Sequence, residues 1–323
     1  MRQLSLDDFV AMAPGLRRGY HANYYAMYSS VLDGIVTDPA LMVVPVDDHL
    51  VHRGDGVFET CKCVAGGIYN VDAHLDRLDR SASALSLKGR CGREELTKIM
   101  VATLRAGHHA DALIRILLSR GPGSLGVSPQ DCPETQLYVV AYHLLPPFMT
   151  RKPSGASVAS SKVNPKEATY ARVKNCNYLQ NVLMKREAEC LGVDFVVGFD
   201  EQDCMTESAT ENIGIVTPAG ALLFPALEGI LSGTTMLRVA ALSESLVEEG
   251  VISRIGFEPL PREQVRDAAE ILVVGTTHDV ASVVAFDGHP VGDARPGPVG
   301  LRMNALLQDD IHNNVAMRVE IGR

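Results

Sequence analysis

The stretch from Arg172 to Val216 decides how this chain is interpreted. It begins Arg172-Val173-Lys174-Asn175-Cys176-Asn177-Tyr178-Leu179, continues through a helical segment and a short strand, and ends with Thr206-Glu207-Ser208-Ala209-Thr210-Glu211-Asn212-Ile213. The pattern places a lysine just before a helix and a carboxylate in a loop one strand later, and such loops often present reactive side chains. A lysine can form a Schiff base with an aldehyde, and a carboxylate can hold a proton on a ring nitrogen. The pair therefore suits pyridoxal phosphate (PLP), although either residue alone is more often a surface lysine or a turn glutamate.

Length, composition and charge describe an ordinary globular protein. The chain has 323 residues, of which 46% are hydrophobic and 21% are charged, and it is long enough for two domains. Its formal net charge of -9 argues against a general nucleic-acid binder, because such proteins present a basic face. No run approaches the roughly 18 apolar residues of a membrane-spanning helix, and the N-terminus lacks the apolar core of a signal peptide. We therefore expect a cytoplasmic protein that binds neither nucleic acid nor membranes.

The cysteines indicate a reducing environment. There are seven, with no CxxC pair and no zinc-like spacing to histidine, so we expect free thiols and no metal site. Cys61-Lys62-Cys63 could hold a metal, but the period of two in a strand favours two thiols on one strand face.

Hydrophobic periodicity predicts both strands and helices in the first half of the chain. Ser5 is expected to cap a short helix, and residues 57–64 and 68–71 form a β-hairpin around Gly66-Gly67. Asp72 is placed to cap a second helix. A strand is also expected over residues 41–46, where Pro45 indicates a sheet edge or a strand end.

The second half follows a connection without periodicity, residues 146–153, which is the best candidate for a linker. After it we expect a helix from about Tyr178 to Leu191, stopped by Gly192, and a helix from Thr235 to about Val247, among short strands. The sequence therefore predicts an α/β (α+β) protein with an N-terminal domain over residues 1–145 and a C-terminal domain over residues 154–323.

A candidate anion site precedes the helix expected at Thr235. In Gly229-Ile230-Leu231-Ser232-Gly233-Thr234-Thr235-Met236 the glycines let the backbone approach closely, and hydroxyls and the first helical amides converge. The simpler interpretation is a helix capped by Ser232 or Thr234 alone. Thr276-Thr277 offers two more hydroxyls at a strand end, and Arg77 could clamp a phosphate with two hydrogen bonds or be an exposed helical arginine.

Taken together, these residues resemble the class IV aminotransferases, the PLP enzymes of fold type IV. That family includes branched-chain aminotransferases, D-amino-acid aminotransferases and aminodeoxychorismate lyases. The resemblance covers nearly the whole chain, and the order and spacing of its pieces are specific. They are His52-Arg53-Gly54-Asp55-Gly56-Val57-Phe58-Glu59-Thr60, His74-Leu75-Asp76-Arg77-Leu78, Val173-Lys174, Asn177-Tyr178-Leu179, Glu207, Asn212, Leu231-Ser232-Gly233-Thr234-Thr235 and Gly275-Thr276-Thr277.

The resemblance implies roles for particular residues. Lys174 would be the Schiff-base lysine, Glu207 the partner of the pyridine nitrogen, and Tyr178 a neighbour of the phenolic oxygen. Lys174 would also remove the α-proton of the substrate and return it at C4′ of the cofactor. The remaining cofactor-binding residues implied are Arg77, Leu231, Ser232, Gly233, Thr234, Thr276 and Thr277. The fold implied is a smaller N-terminal α/β domain and a larger C-terminal mixed-sheet pseudo-barrel that binds PLP, in a homodimer.

Two departures from the family pattern concern the pocket. Asn212-Ile213 is followed by Gly214, where the family usually has an aromatic residue. The bacterial D-amino-acid enzymes carry an Arg-x-His carboxylate trap, which is absent after Ser119-Arg120-Gly121. The residue that holds the substrate carboxylate is therefore open, and the substrate-side candidates are Phe58, Arg53, Arg120 and Arg172.

The resemblance implies transfer of an amino group between an amino acid, of the D- or the branched-chain type, and a 2-oxo acid. An alternative on the same scaffold is the aminodeoxychorismate lyase reaction, which releases pyruvate and 4-aminobenzoate. A third hypothesis is a cofactor-binding or structural homologue without turnover. The presence of both Lys174 and Glu207 argues against that third hypothesis, because a scaffold needs neither.

Overall fold

A computed structural model describes residues 1–322 of the protein, and the chain forms two compact units. The first contains Met1–Leu144 and the last residues of the chain from Met317 on, and the second contains Leu145–Ala316. The strands are β1 (Tyr24–Ser29), β2 (Gly34–Val36), β3 (Gly56–Val64), β4 (Gly67–Tyr69), β5 (Ala112–Ser119), β6 (Gln136–Tyr142), β7 (Ala156–Ser160), β8 (Phe195–Phe199), β9 (Met205–Ser208), β10 (Asn212–Val216), β11 (Ala221–Phe224), β12 (Arg254–Phe257), β13 (Glu270–Gly275), β14 (Asp279–Phe286), β15 (His289–Pro290) and β16 (Arg318–Glu320).

The helices complete a mixed helix and sheet architecture. They are α1 (Leu6–Met12), α2 (His49–Arg53), α3 (Val71–Ala84), α4 (Arg93–Gly107), α5 (Phe148–Arg151), α6 (Ala168–Ala171), α7 (Leu179–Leu191), α8 (Thr234–Leu242), α9 (Glu244–Glu248), α10 (Arg262–Arg266) and α11 (Pro298–Asn313). None of the helices in residues 1–322 combines the length and the apolarity needed to cross a membrane.

The first unit is built on a seven-stranded antiparallel sheet in the order β16-β4-β3-β5-β6-β1-β2. The predicted hairpin is confirmed, because Cys63 pairs with Ile68 and Val64 with Gly67. Helix α3 packs on this sheet and buries Leu75 and Leu78, as its apolar spacing predicts.

Two predictions for the first unit are wrong. Residues 41–46 form no strand, since a short 3₁₀ turn over Pro39–Leu41 leads into an irregular segment. Asp72 does not cap α3, because the N-cap is Asn70, two residues earlier, in the left-handed conformation with φ of 55°, and the helix begins at Val71. The N-cap predicted at Ser5 is confirmed, with a capping box to Asp8.

The second unit is built on a nine-stranded mixed sheet that curls into a half-barrel. Its main path runs β12-β11-β10-β13-β14-β7-β8-β9, with β15 paired to β14, and the pairs β7–β8, β7–β14 and β11–β12 are parallel. One hydrophobic cluster joins these strands, with Ile215, Val273 and Val197 fully or almost fully buried. Such fully buried strands are expected when both faces of a sheet are covered.

In the second unit, the predicted end of α7 is confirmed, whereas the helix after Thr235 and the linker differ from the prediction. Helix α7 ends at Gly192 in the left-handed conformation with φ of 68°, as predicted. The helix expected from Thr235 to Val247 is two helices, α8 and α9, separated at Ser243. Residues 146–153, expected to be a linker, contain α5, whose Phe148 is part of the hydrophobic cluster.

Candidate active site

Lys174 is presented by a tight turn at the start of α7. The buried Asn175 closes this turn, since its side chain donates to Val173 O at 3.2 Å and accepts from Asn177 N at 2.9 Å. The Lys174 side chain is half-buried, and its Nζ lies 3.4 Å from Tyr178 Oη. Two site residues proposed from the sequence, Lys174 and Tyr178, are therefore brought together by one turn of backbone.

Glu207 lies on β9, rather than in the loop expected from the sequence. Its side chain is half-buried, and Oε2 accepts a hydrogen bond from Leu231 N at 3.0 Å. An ionised carboxylate that accepts a backbone N–H is fixed in orientation. Glu207 and the 229–233 segment, distant in the sequence, thus meet in the structure.

Asn212 ties the same segment from the other side. It is buried on β10, and its Nδ2 donates to Leu231 O at 3.0 Å. Gly233 packs so closely against it that a Cβ on Gly233 would lie 1.9 Å from Asn212 Oδ1. The loop before α8 therefore needs a glycine at this position for reasons of space.

Helix α8 begins at Thr234, and its N-cap is Gly233, which has no side chain with which to cap it. The simpler interpretation, a helix capped by Ser232 or Thr234 at the N-cap position, therefore does not describe this helix. Thr235 Oγ1 lies 3.2 Å from Thr276 Oγ1, which brings the residue after β13 to the first turn of α8. Backbone amides at a helix start together with hydroxyls are suited to a phosphate.

Lys166 is a residue of the site that the sequence analysis missed. Its Nζ lies 4.8 Å from the centre of the Tyr178 ring, and Lys174 Nζ lies 6.0 Å from the same centre. Burial lowers the pKa of Lys166, and the nearby negative charge of Glu207 acts in the opposite direction. No sequence signal marks Lys166, because it lies in a segment without periodicity.

A buried carboxylate and an imidazole meet beside Asn212 and Thr276. Glu211 is buried, and its Oε1 is 3.2 Å from His278 Nε2. Burial raises the pKa of Glu211, but the hydrogen bonds and charge of His278 together with Thr210 bring it below its usual value. The pair lines a pocket of about 500 Å³ that Tyr178 also lines.

Arg77 belongs to the first unit and is held by Glu59. Its Nε and Nη2 donate to the two oxygens of the carboxylate at 2.7 and 2.8 Å, and His74 Nδ1 lies 2.7 Å from Oε2. All three side chains are buried. Burial raises the pKa of Glu59, but the charge and hydrogen bonds of Arg77 and His74 hold it below its usual range. The expected contact of Arg77 with a phosphate stays a prediction.

The substrate-side candidates of the first unit have structural partners. Arg120 binds both oxygens of Asp55, at 2.9 and 3.1 Å, and two backbone carbonyls. Arg53 donates to Gly126 O at 3.0 Å, and Phe58 is buried with Arg115 over its ring. Arg172 is exposed in the second unit, directly after α6. Their roles toward a substrate remain predictions.

The residues of the second unit fit PLP as a group. A lysine, a fixed carboxylate, an uncapped helix start and a hydroxyl pair match the aldehyde, ring nitrogen and phosphate of the cofactor. Within residues 1–322, Asn181 Oδ1, Thr206 Oγ1 and Ser208 Oγ are buried without a hydrogen-bond partner, and all three residues line the pocket that contains Glu207. Buried polar atoms of this kind mark a site built for further polar contacts.

Comparison with solved structures defines the fold. The branched-chain aminotransferase of Thermoproteus uzoniensis, solved with norvaline, superimposes with a TM-score of 0.83 at 22% identity, covering 93% of this chain and 100% of that one. The branched-chain amino acid aminotransferase of Thermobaculum terrenum, solved in its PLP form, gives 0.81 at 17% identity, covering 93% and 99%. At this level of identity the likeness establishes the architecture, which is fold type IV.

Comparison of sequences then establishes the family. The model of the family "Amino-transferase class IV" matches residues 56–286. A chloroplastic D-amino-acid transaminase of Arabidopsis thaliana is 34% identical over 291 residues, covering 90% of this chain and 77% of that protein. A putative branched-chain-amino-acid aminotransferase of Methanocaldococcus jannaschii is 30% identical over 278 residues, covering 86% and 94%. The chain belongs to the class IV aminotransferases, which are PLP-dependent transferases.

Proposed function

We propose that this aminotransferase takes a D-amino acid as amino donor and a 2-oxo acid as acceptor. The arrangement of Lys174 beside Tyr178, with Glu207 fixed by Leu231, is the observation that supports amino transfer. The choice of a D-amino acid is supported by the relative from Arabidopsis thaliana, at 34% identity. A branched-chain amino acid is the second candidate, supported by the relative from Methanocaldococcus jannaschii. The lyase reaction is not favoured by these relatives.

We propose that Lys174, Tyr178 and Glu207 have separate roles in the reaction. When bound, PLP supplies an electron-withdrawing ring that stabilises the negative charge left at the α-carbon of the amino acid. Lys174 Nζ moves the proton at that α-carbon, and the nearby Tyr178 hydroxyl orients the amine. The Glu207 carboxylate holds a proton on the ring nitrogen through its negative charge. The amide of Leu231 fixes the orientation of that carboxylate.

The first turn of α8 is proposed to hold the phosphate. Helix α8 begins at Thr234, directly after the segment that Asn212 braces, and the hydroxyls of Thr235 and Thr276 lie 3.2 Å apart. Ser232 and Thr277 are proposed to contact the phosphate as well, because each is adjacent in the sequence to a residue of this site. None of these groups needs to change its charge during the reaction, so they serve as a fixed anchor.

The experiment is a set of half-reactions in the absence of an acceptor. Protein loaded with PLP is mixed separately with D-alanine, L-leucine and L-glutamate, and the absorbance of the cofactor is followed. We expect D-alanine to convert the cofactor to its pyridoxamine form fastest. Conversion by L-leucine alone would replace this proposal by the branched-chain one. No conversion by any amino acid, with pyruvate formed from aminodeoxychorismate, would contradict both.

We further propose a homodimer located in the cytoplasm. The support for a second copy is the exposure of large apolar side chains in the first 51 residues, among them Leu6, Phe9, Val10 and Leu16. Light scattering of the purified protein is expected to give twice the mass of one chain, and a concentration-independent monomer would contradict this proposal. The Arabidopsis relative is named as chloroplastic, so imaging of the tagged protein in its own cells tests the location.

A further inference from the structure

Lys166 and Glu207 share a small pocket in the second unit. Twelve residues line it, and Lys166 and Glu207 are the two among them that carry a charge. Lys166 is half-buried, and its ammonium lies over the Tyr178 ring at 4.8 Å from the centre. A cation over an aromatic face is attracted to it, which places this ammonium on the same tyrosine that Lys174 contacts.

Opposite charges in a confined pocket interact more strongly than at an open surface. The charge of Glu207 favours the protonated form of Lys166 against its burial. In turn, an ammonium nearby favours the ionised form of Glu207, which is the form needed to hold a proton on a ring nitrogen. The pocket therefore contains two opposite charges, with the ammonium of Lys166 placed over the Tyr178 ring.

We propose that Lys166 is a positioning residue of the active site: its ammonium is the counter-ion of Glu207 in the cofactor-free protein, and PLP binding replaces it with the protonated ring nitrogen. This inference rests on the proposed role of Glu207 toward that nitrogen. Binding is then an exchange of one positive charge for another, and the carboxylate keeps a partner in both states. No covalent step and no net transfer of charge to Glu207 is involved.

The pocket provides acceptors for the ammonium that is displaced. Asn181 Oδ1, Thr206 Oγ1 and Ser208 Oγ line it, and within residues 1–322 they are buried without a hydrogen-bond partner. An ammonium carries three N–H donors, so three oxygens match its capacity. The same pocket therefore offers oxygens that can accept hydrogen bonds from the displaced ammonium.

A double-mutant cycle on the full chain tests the exchange. The variants are Lys166→Met, Glu207→Gln and the two combined, with Lys166→Arg as the conservative variant and Lys162→Met, an exposed lysine of the same segment, as control. Each is measured without cofactor by thermal unfolding and then titrated with PLP by absorbance. Lys166→Met keeps the length of the side chain and removes its charge.

Lys166→Met is expected to destabilise the protein without cofactor but to strengthen its binding of PLP. Without cofactor, Lys166→Met lowers Tm by about 2–4 °C when Glu207 is present and by less than about 1 °C in combination with Glu207→Gln. It also tightens PLP binding by about fivefold when Glu207 is present, because the competing cation has been removed, and leaves the Kd unchanged in combination with Glu207→Gln. Lys166→Arg and Lys162→Met leave both quantities near wild type.

Two outcomes overturn the proposal. One is an equal effect of Lys166→Met with and without Glu207→Gln, which would show that the two residues are not partners. The other is weaker PLP binding by Lys166→Met, as a structural role alone would give. If the wild-type chain binds no PLP, the proposed function fails separately, and the thermal cycle still decides whether the two charges are paired.

Discussion

At the scale of single residues, the buried carboxylate of Glu59 is the centre of an ion-pair cluster in the first unit. It is fully buried and is compensated by Arg77 and His74. Removing one partner of a buried ion pair leaves the other charge uncompensated, which costs far more than breaking an exposed pair. The integrity of the first unit therefore depends on this charge.

Glu59→Gln is expected to lower the free energy of unfolding by about 3–5 kcal/mol, because it removes the buried negative charge that Arg77 and His74 contact. Urea denaturation measures the loss. The matched control is Glu134→Gln, which breaks an exposed pair with Arg90 and should cost less than about 1 kcal/mol. Equal losses for the two variants would contradict this account of Glu59.

The same pair predicts a dependence on acid. The pKa of Glu59 is held below its ordinary value of 4.5, so its contribution is complete above that value and is lost as the pH falls towards the lower folded pKa. We expect wild-type stability to fall below about pH 4.5 partly through this group. In Glu59→Gln that part of the pH dependence should disappear, and its persistence would show that other carboxylates account for it.

At the residue scale, the sequence indicates those contacts that depend on neighbours along the chain. Lys174 and Tyr178 are close in sequence, and the turn between them is local. No local pattern marks Lys166, because the segment between β7 and α6 that carries it shares a pocket with Glu207 of β9 only in the folded chain. The burial of Arg77 was likewise hidden, since its partner Glu59 lies on another element.

At the scale of elements, the segment before α8 is shaped by a contact between Gly233 and Asn212. A Cβ on Gly233 would lie 1.9 Å from Asn212 Oδ1, so Gly233→Ala must displace the asparagine and its bond to Leu231 O. Because Leu231 N also fixes Glu207, the displacement reaches the carboxylate. A substitution at Gly233 therefore tests whether the contact between β10 and the segment before α8 positions Glu207.

Gly233→Ala is expected to weaken PLP binding by about tenfold, the effect of losing roughly one hydrogen bond and its geometry. Gly92→Ala is the matched control, because Gly92 is likewise the N-cap of a helix, α4, and nothing lies within 4 Å of a Cβ at that position. It should change the Kd less than about twofold, well below the effect of 1 kcal/mol. Equilibrium titration with PLP compares the two, and equal Kd values would contradict the structural role of Gly233.

Elements were predicted well where periodicity and capping agree. The hairpin of β3 and β4, the Ser5 cap and the Gly192 stop all follow local rules of backbone geometry. The strand predicted over residues 41–46 is wrong, because an apolar run alone does not distinguish a strand from an irregular segment. The N-cap predicted at Asp72 is wrong, because Asn70, in the left-handed conformation, is the N-cap and the helix therefore begins earlier.

At the scale of the whole molecule, the division of the chain differs from the sequence expectation at its end. Residues after Met317 were assigned to the C-terminal domain, but β16 pairs with β4 and Ile321 N donates to Gly66 O at 2.9 Å. These contacts place the end of the chain in the first unit. Pairings between distant segments are set by tertiary packing, so a sequence pattern cannot supply them.

Ile321→Asp is therefore expected to destabilise the first unit by about 3 kcal/mol or more, because it buries an unpaired charge at a position that is 8% exposed. Val315→Asp, at a position that is 77% exposed just before this segment, should change stability by less than about 0.5 kcal/mol. Hydrogen exchange of the β4 amides distinguishes them. Unchanged protection in Ile321→Asp would contradict the assignment of the C-terminal residues.

The proposed function depends on Lys174 as the residue that engages PLP and moves the proton at the substrate α-carbon. The most direct measurement is the absorbance spectrum and amino-transfer rate of wild type, Lys174→Ala and, as control, Lys185→Ala, an exposed lysine on α7. Wild type and control should show the same band near the edge of the visible range and the same rate. Lys174→Ala should lose the band and lower the rate by about 10²–10⁴-fold. A band and a rate that survive Lys174→Ala would contradict the central claim.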